Sequence, residues 1–194
     1  MADGIQLIVG LGNPDAEHLS TRHNAGFWLV DALAAEQGLR FKHEAKFHGE
    51  VCKLTVGGQI CWLLKPFTYM NRSGQSAGAI ATFYKIPPGQ ILVVHDELDL
   101  PPGTVRLKRG GGHGGHNGLK SLISSLGSND FLRLRLGIGH PGERDAVVHF
   151  VLHAPSRDER EKIEGRFPEI LLAMPSIIAG DHDKVMNRLH SQNG

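Results

Sequence analysis

The chain has 194 residues, of which 40% are hydrophobic and 21% charged, and its formal net charge is +1. That length favours one fold with a sizeable core, and the composition is that of an ordinary soluble globular protein rather than a disordered chain or a disulfide-stapled mini-fold. No apolar run approaches the roughly 20 residues needed to span a bilayer and the amino end lacks a basic stretch followed by an apolar block, so a cytoplasmic location is the default expectation.

Residues 6–9 form a short apolar run that reads as a buried strand, and Gly10-Leu11-Gly12-Asn13-Pro14 is the turn at its end. Residues 24–37 carry Phe27, Val30, Leu33 and Ala34 at helical spacing, with Gly38 as the stop. The β-rich runs 51–56 and 59–64 flank Gly57-Gly58, the signal of a two-residue hairpin. Cys52 and Cys61 then share one face diagonally, and without CxxC spacing both read as reduced, apolar residues.

Residues 73–84 read as a helix stopped by Pro87-Pro88, and 91–94 as the next buried strand, with His95 and Asp96 just past its end. Leu119, Leu122, Ile123 and Leu126 give a helix closed by Gly127, and residues 131–138 alternate as a strand. Ser156 with Glu159 fits a capping box opening a helix to about Phe167. Two more helical stretches follow, 169–179 broken near Pro175 and then 181–189. Strands separated by helices, together with one hairpin, imply an α/β fold: a single domain over residues 1–194, with a mixed central sheet flanked by helices. Ligands of such sheets gather beyond the carboxyl ends of strands, where Asn13 and Asp96 are expected.

Spacing argues against several common sites. Gly10-Leu11-Gly12 opens like a dinucleotide fingerprint, but Asp15 stands where the third glycine belongs and Pro14 where the helix should open. The run from Gly110 to Gly118 leads into a helix without the spacing of a Walker A loop, and the nearest approach to GxSxG, Gly74-Gln75-Ser76-Ala77-Gly78, lies inside a helix. His113 and His116 are the closest histidine pair, yet no HExxH or similar signature accompanies them, so neither a metal nor a cofactor is expected.

Three features remain. Between Gly103 and Arg144 seven bases (Arg106, Lys108, Arg109, Lys120, Arg133, Arg135, Arg144) face two acids, Asp130 and Glu143, which suits a phosphate-bearing partner or is an ordinary solvated surface. The glycine run offers either free amides and a helix dipole to an anion, or only a tight connection in which Asn117 caps its helix. His23, just before a helix, and Asp96 could form a histidine–carboxylate pair that draws a proton from water without a nucleophilic Ser or Cys; either could equally be a cap or a surface group.

Taken together, five segments resemble the bacterial peptidyl-tRNA hydrolase family, in order from about Ile5 to Val151. They are Ile8 to Pro14 with Thr21 to Gly26; Lys65-Pro66-Phe67-Thr68-Tyr69-Met70-Asn71-Arg72-Ser73-Gly74; His95-Asp96-Glu97-Leu98-Asp99-Leu100-Pro101; Gly111 to Gly118; and Arg133 to Gly142. The resemblance implies a cytoplasmic, monomeric enzyme with no cofactor and no obligate protein partner, which frees tRNA and peptide from peptidyl-tRNA released prematurely from the ribosome. It implies that His23 is the general base and Asp96 its orienting partner, that Asn13 recognises the peptide near the ester, and that Tyr69, Asn71 and Asn117 position the tRNA end, substrate or water. Lys108 and Arg135 match the family's phosphate-contacting positions. One position departs: the family usually has Tyr where this chain has His18, a place the resemblance ties to the tRNA end. The competing readings are a non-catalytic tRNA-binding module and a metal-dependent hydrolase of another substrate.

Overall fold

The computed structural model describes residues 4–191 and builds one sheet from seven strands: β1 Leu7–Gly10, β2 Lys42–Glu44, β3 Gly49–Val56, β4 Gln59–Pro66, β5 Ile91–Glu97, β6 Val105–Arg109 and β7 Leu132–Gly137. The helices among the described residues are α1 Ala25–Glu36, α2 Ser73–Phe83, α3 Asn117–Leu126, α4 Val147–Val151, α5 Arg157–Glu164, α6 Phe167–Ala179 and α7 His182–Ser191. The strand order is β2-β3-β4-β1-β5-β7-β6. β4, β1, β5 and β7 run parallel, while β2, β3 and β6 join through antiparallel pairs, so the sheet is mixed as the sequence implies.

Strand faces decide the layering. On one face Ile8, Leu92, Val94, Leu132 and Leu134 pack with α1, α6 and α7; on the other Leu7, Val9, Ile91 and Val93 pack with α2 and α3. β1 is buried throughout because it sits between β4 and β5 with helices above and below, which explains a continuous apolar run rather than an alternating one. The hairpin forms where expected: Gly57 and Gly58 both have positive φ, 55° and 79°, as a tight two-residue turn requires. Cys52 pairs across the ladder with Leu63 and Cys61 with Leu54, so the thiols are diagonal; both are free and buried. Among the described residues no helix is long and apolar enough to cross a membrane.

Several boundaries differ from the sequence reading. β5 does not stop at Val94, because His95, Asp96 and Glu97 continue its parallel pairing opposite Arg135, Leu136 and Gly137 of β7; His95 and Asp96 belong to the strand end rather than to the loop beyond it. β7 is not a half-buried alternating strand, since Leu132 to Leu134 are buried on both faces, Arg133 included. α6 runs unbroken through Pro175, where the packing of Ile170, Met174 and Ile177 outweighs the missing backbone bond. The short strands β2 and β6 and the five-residue α4 carry no sequence signal, being brief elements that tertiary packing holds in place.

One glycine governs how closely α1 approaches the sheet. A Cβ on Gly26 would lie 2.3 Å from the Val94 carbonyl oxygen and 2.7 Å from the Leu11 nitrogen, both rigid backbone atoms. Gly26→Ala is therefore expected to destabilise the fold by about 1–3 kcal/mol, the range for forced overpacking, as read by denaturant unfolding. A loss below about 0.5 kcal/mol would show that the helix can withdraw from the strand, contrary to this close packing.

Candidate active site

The carboxyl ends of β1, β4 and β5 place three segments side by side: the turn carrying Asn13, the loop carrying Tyr69 and Asn71, and the strand end carrying His95 and Asp96. A cleft of about 250 Å³ opens there, closed on one side by the glycine loop with Asn117 and on another by Val147, Val148 and Val151 of α4.

At its floor Asp96 is almost fully buried and bridges two imidazoles. His23 Nδ1–H donates to Asp96 Oδ2 at 2.8 Å, and His116 Nε2–H donates to Asp96 Oδ1 at 2.9 Å. The proton positions follow from the partners. His116 Nδ1 accepts the backbone N–H groups of Gly118 and Leu119, at 3.1 and 3.3 Å, so its proton must sit on Nε2. His23 donates its Nδ1–H to the carboxylate, which leaves Nε2 with a lone pair and no hydrogen-bond partner among the described residues.

The charges agree with this geometry. Burial alone would raise the Asp96 pKa, but the two imidazoles outweigh it and hold the carboxyl far below the usual carboxylate range. Burial alone would lower the His23 pKa, but the charge and hydrogen bond of Asp96 overcome it and push the group above 6.5. His95 is different: burial, and then His116, lower it to about 4, while its Nδ1–H is given to the Asp96 carbonyl at 2.9 Å, so it stays neutral.

The amide of Asn13 is oriented by the scaffold. Its Oδ1 accepts Met70 N–H at 2.8 Å, while the fully buried Asn24 accepts Asn13 N–H at 2.9 Å and donates to Asn13 O at 2.8 Å. With Oδ1 occupied, Asn13 Nδ2 is left as a donor into the cleft. Asn71 and Asn117 are exposed in the cleft wall, and their side chains make no hydrogen bond within the described residues.

His23, Asp96, Asn13, Tyr69, Asn71 and Asn117 thus share one cleft. His18 does not join them: it lies off the cleft wall, with Nδ1 3.4 Å from Asp15 Oδ2. Lys108 and Arg135 line an adjoining recess with Arg133, Glu97 and Asp99, contiguous with the cleft through His95, His113 and Gly114. Arg135 Nε is paired with Glu97 Oε1 at 2.9 Å.

Two expectations about the glycine loop need correction. Asn117 is not the cap of α3: the capping residue is His116, and Asn117 is the first helical residue. Because His116 takes the Gly118 and Leu119 amides, those donors are not free for a phosphate. Sequence spacing offers His116 only as half of a metal pair with His113; its position immediately before an apolar-periodic helix is the signal for capping. Two arginines have roles that spacing does not announce. Arg133 donates to the Gly112 and Gly111 carbonyls at 2.5 and 2.6 Å and so pins the glycine loop. Arg22 donates to the Phe150 carbonyl at 3.0 Å and lies over the Phe150 ring, fastening the segment that carries α4.

His23, Asp96 and His116, and separately Asp15, Glu17 and His18, are the clusters of described residues close enough to share a metal ion. In the first, both imidazoles turn N–H groups rather than lone pairs toward Asp96, an arrangement made by protons and not by coordination.

Comparison with known proteins gives a consistent result. Residues 7–194 match the family described as Peptidyl-tRNA hydrolase. The chain is similar to the peptidyl-tRNA hydrolase of Methylobacillus flagellatus, 55% identical over 98% of each chain, and to that of Neisseria meningitidis serogroup A, 53% identical over 99% of this chain and 100% of the relative. The crystal structure of the peptidyl-tRNA hydrolase of Acinetobacter baumannii superposes with a TM-score of 0.95 at 44% identity, covering 98% of this chain and 97% of that one.

The opposing influences on His23 make a test. In Asp96→Asn the raising charge is removed and burial remains, so the His23 titration followed by NMR is expected to move from above 6.5 to below it. A His23 pKa unchanged in that variant would mean that another group sets it.

Proposed function

The chain belongs to the peptidyl-tRNA hydrolase family and hydrolyses the ester joining a peptide to its tRNA, and we propose that His23 is the general base of that reaction. The observation that carries this is the His23–Asp96–His116 hydrogen-bonded array, with His23 Nε2 open to a cleft bordered by asparagine amides.

A water molecule between His23 Nε2 and the ester carbonyl carbon loses its proton to Nε2 as its oxygen attacks. Asp96 stabilises the imidazolium that results, since its charge lies on the Nδ1 side. The carbonyl oxygen becomes an oxyanion, and Asn13 Nδ2 is placed to donate to it or to the adjacent peptide group. As the tetrahedral centre collapses, the ribose oxygen departs with the proton held on Nε2, and the peptide leaves as a carboxylic acid. Water is the nucleophile, so no covalent enzyme intermediate is required. Asn71, Asn117 and Tyr69 position the substrate around this centre.

Lys108 and Arg135 hold tRNA phosphate in the recess beside the cleft, where Arg133 adds a third positive charge against Glu97 and Asp99. His18 lies off the cleft wall, so any contact with the tRNA end is made outside the catalytic cleft. On this reading residues 1–194 form one hydrolase domain that acts in the cytoplasm as a monomer, without cofactor, metal or obligate protein partner.

His23→Ala is expected to lower turnover of purified peptidyl-tRNA by about 100- to 10,000-fold, with folding and tRNA binding retained, and Asp96→Asn by less, because the base remains. The wild type should release peptide fully with a chelator present. Loss of turnover on chelation would favour a metal-dependent enzyme, and binding without turnover a tRNA-binding module.

Lys108→Ala and Arg135→Ala should each weaken tRNA binding and flatten its salt dependence, while a minimal ester on a short nucleotide is cleaved nearly as before. An unchanged salt slope in both variants would return these residues to ordinary surface charges.

A further inference from the structure

The C-terminal end of α4 carries two histidines that the hydrolytic centre does not use. His149 and His153 lie four residues apart, both exposed, with their rings stacked at a centroid distance of 3.8 Å and an interplanar angle of 25°. Neither borders the catalytic cleft, although Val147, Val148 and Val151 of the same segment do. The chain keeps turning beyond the last helical residue: Leu152 N–H donates to the Val148 carbonyl at 3.3 Å and His153 N–H to that of Phe150 at 3.2 Å. That continued turn brings the two rings onto one face.

Hydrogen bonds set what the rings offer. His153 Nδ1–H donates to the His149 carbonyl at 2.5 Å, so a neutral His153 keeps its lone pair on Nε2, which has no partner among the described residues. An imidazole whose one N–H is held by a backbone carbonyl is the form in which histidine binds a metal through its other nitrogen. The ring nitrogens of His149 likewise make no hydrogen bond among the described residues. A tetrahedral ion bound to both rings at ~2.0–2.1 Å would hold the two nitrogens roughly 3.3 Å apart, close to the present ring spacing, so a small tilt of each ring suffices. The positive charge of Arg22, which packs against this segment, is offset by Glu159 at 3.3 Å.

We propose that His149 and His153 form a two-histidine site for a divalent transition-metal ion that favours imidazole, namely zinc, nickel or copper, with water completing its coordination. The ion takes no part in hydrolysis. It ties His149 to His153 and so holds the five-residue α4, too short to be stable as an isolated helix, in its helical form. Magnesium and calcium, which take oxygen ligands, do not fit this donor pair. The inference is independent of the role given to His23.

The test titrates untagged protein with zinc chloride by calorimetry, and with nickel(II) while backbone NMR signals are followed, since nickel broadens the signals near it. One zinc ion per chain is expected, with broadening centred on residues 149–153 and a higher melting temperature in zinc than without it. His149→Ala and His153→Ala should each weaken zinc binding on the order of ten-fold or more, at least the loss that follows removal of a supporting partner, and should abolish the rise in melting temperature. Both variants should keep wild-type turnover of peptidyl-tRNA and wild-type melting in metal-free buffer, which shows that the fold is intact. Protons compete with the ion for the ring nitrogens, so affinity should fall about ten-fold or more between roughly pH 7.5 and pH 5.5. Zinc affinity retained in both variants would overturn the proposal, as would broadening centred on His23 and His116 or on Asp15 and His18. So would one ion shared between two chains, or magnesium bound as tightly as zinc.

Discussion

A carboxylate only 3% exposed has to be compensated, and around Asp96 that requirement organises the site. An isolated charge at such a position would cost several kcal/mol. Each oxygen therefore takes one imidazole N–H, from His23 in the turn before α1 and from His116 at the start of α3. Elements on both sides of the sheet are thereby tied to the end of β5. The same charge that draws them together raises the proton affinity of His23, so the group that stabilises the arrangement also suits His23 to the role of base proposed for it.

The residues around this centre share a pattern: one polar atom is spent on the scaffold and another is left facing the cleft. His23 commits Nδ1 and leaves Nε2; Asn13 commits Oδ1 to Met70 and leaves Nδ2. His116, with both nitrogens committed, has no group to offer the substrate and serves as a brace between Asp96 and the first amides of α3. Arg133 and Arg22 fix two borders of the cleft, the glycine loop and the segment around α4, by donating to main-chain carbonyls. Groups held in this way need little rearrangement when charge develops on the substrate, which is where preorganised polar sites gain their advantage.

A formal charge of +1 conceals a division of the surface. Arg106 stands opposite Arg135 and Lys108 opposite Arg133 across the β6–β7 ladder, so alternation turns all four toward one face. Arg109, out of phase with them, is drawn away to Asp130 at 3.7 Å. The cleft adjoins this basic face through the recess that gathers Lys108, Arg133 and Arg135.

The sequence by itself determined what depends on near neighbours. The glycine pair that turns the hairpin, the capping box of Ser156 and Glu159, the helix closed by Gly127 and the apolar strands all follow from local backbone preference and periodicity. Of the residues the motif resemblance named, His23, Asp96, Asn13, Tyr69, Asn71 and Asn117 line the cleft, Lys108 and Arg135 line the recess beside it, and His18 lines neither. Only the tertiary structure decided that β5 runs through Asp96, because the extra pairs are made with β7, some forty residues later in the chain. It alone made His116 the cap and the second partner of Asp96, and gave Arg133 and Arg22 their carbonyls, since a polar side chain has several possible partners and its choice is set by which atoms the packed core brings within about 3 Å. Local pattern specifies the elements; long-range packing selects, among groups of similar chemistry, the ones that face each other.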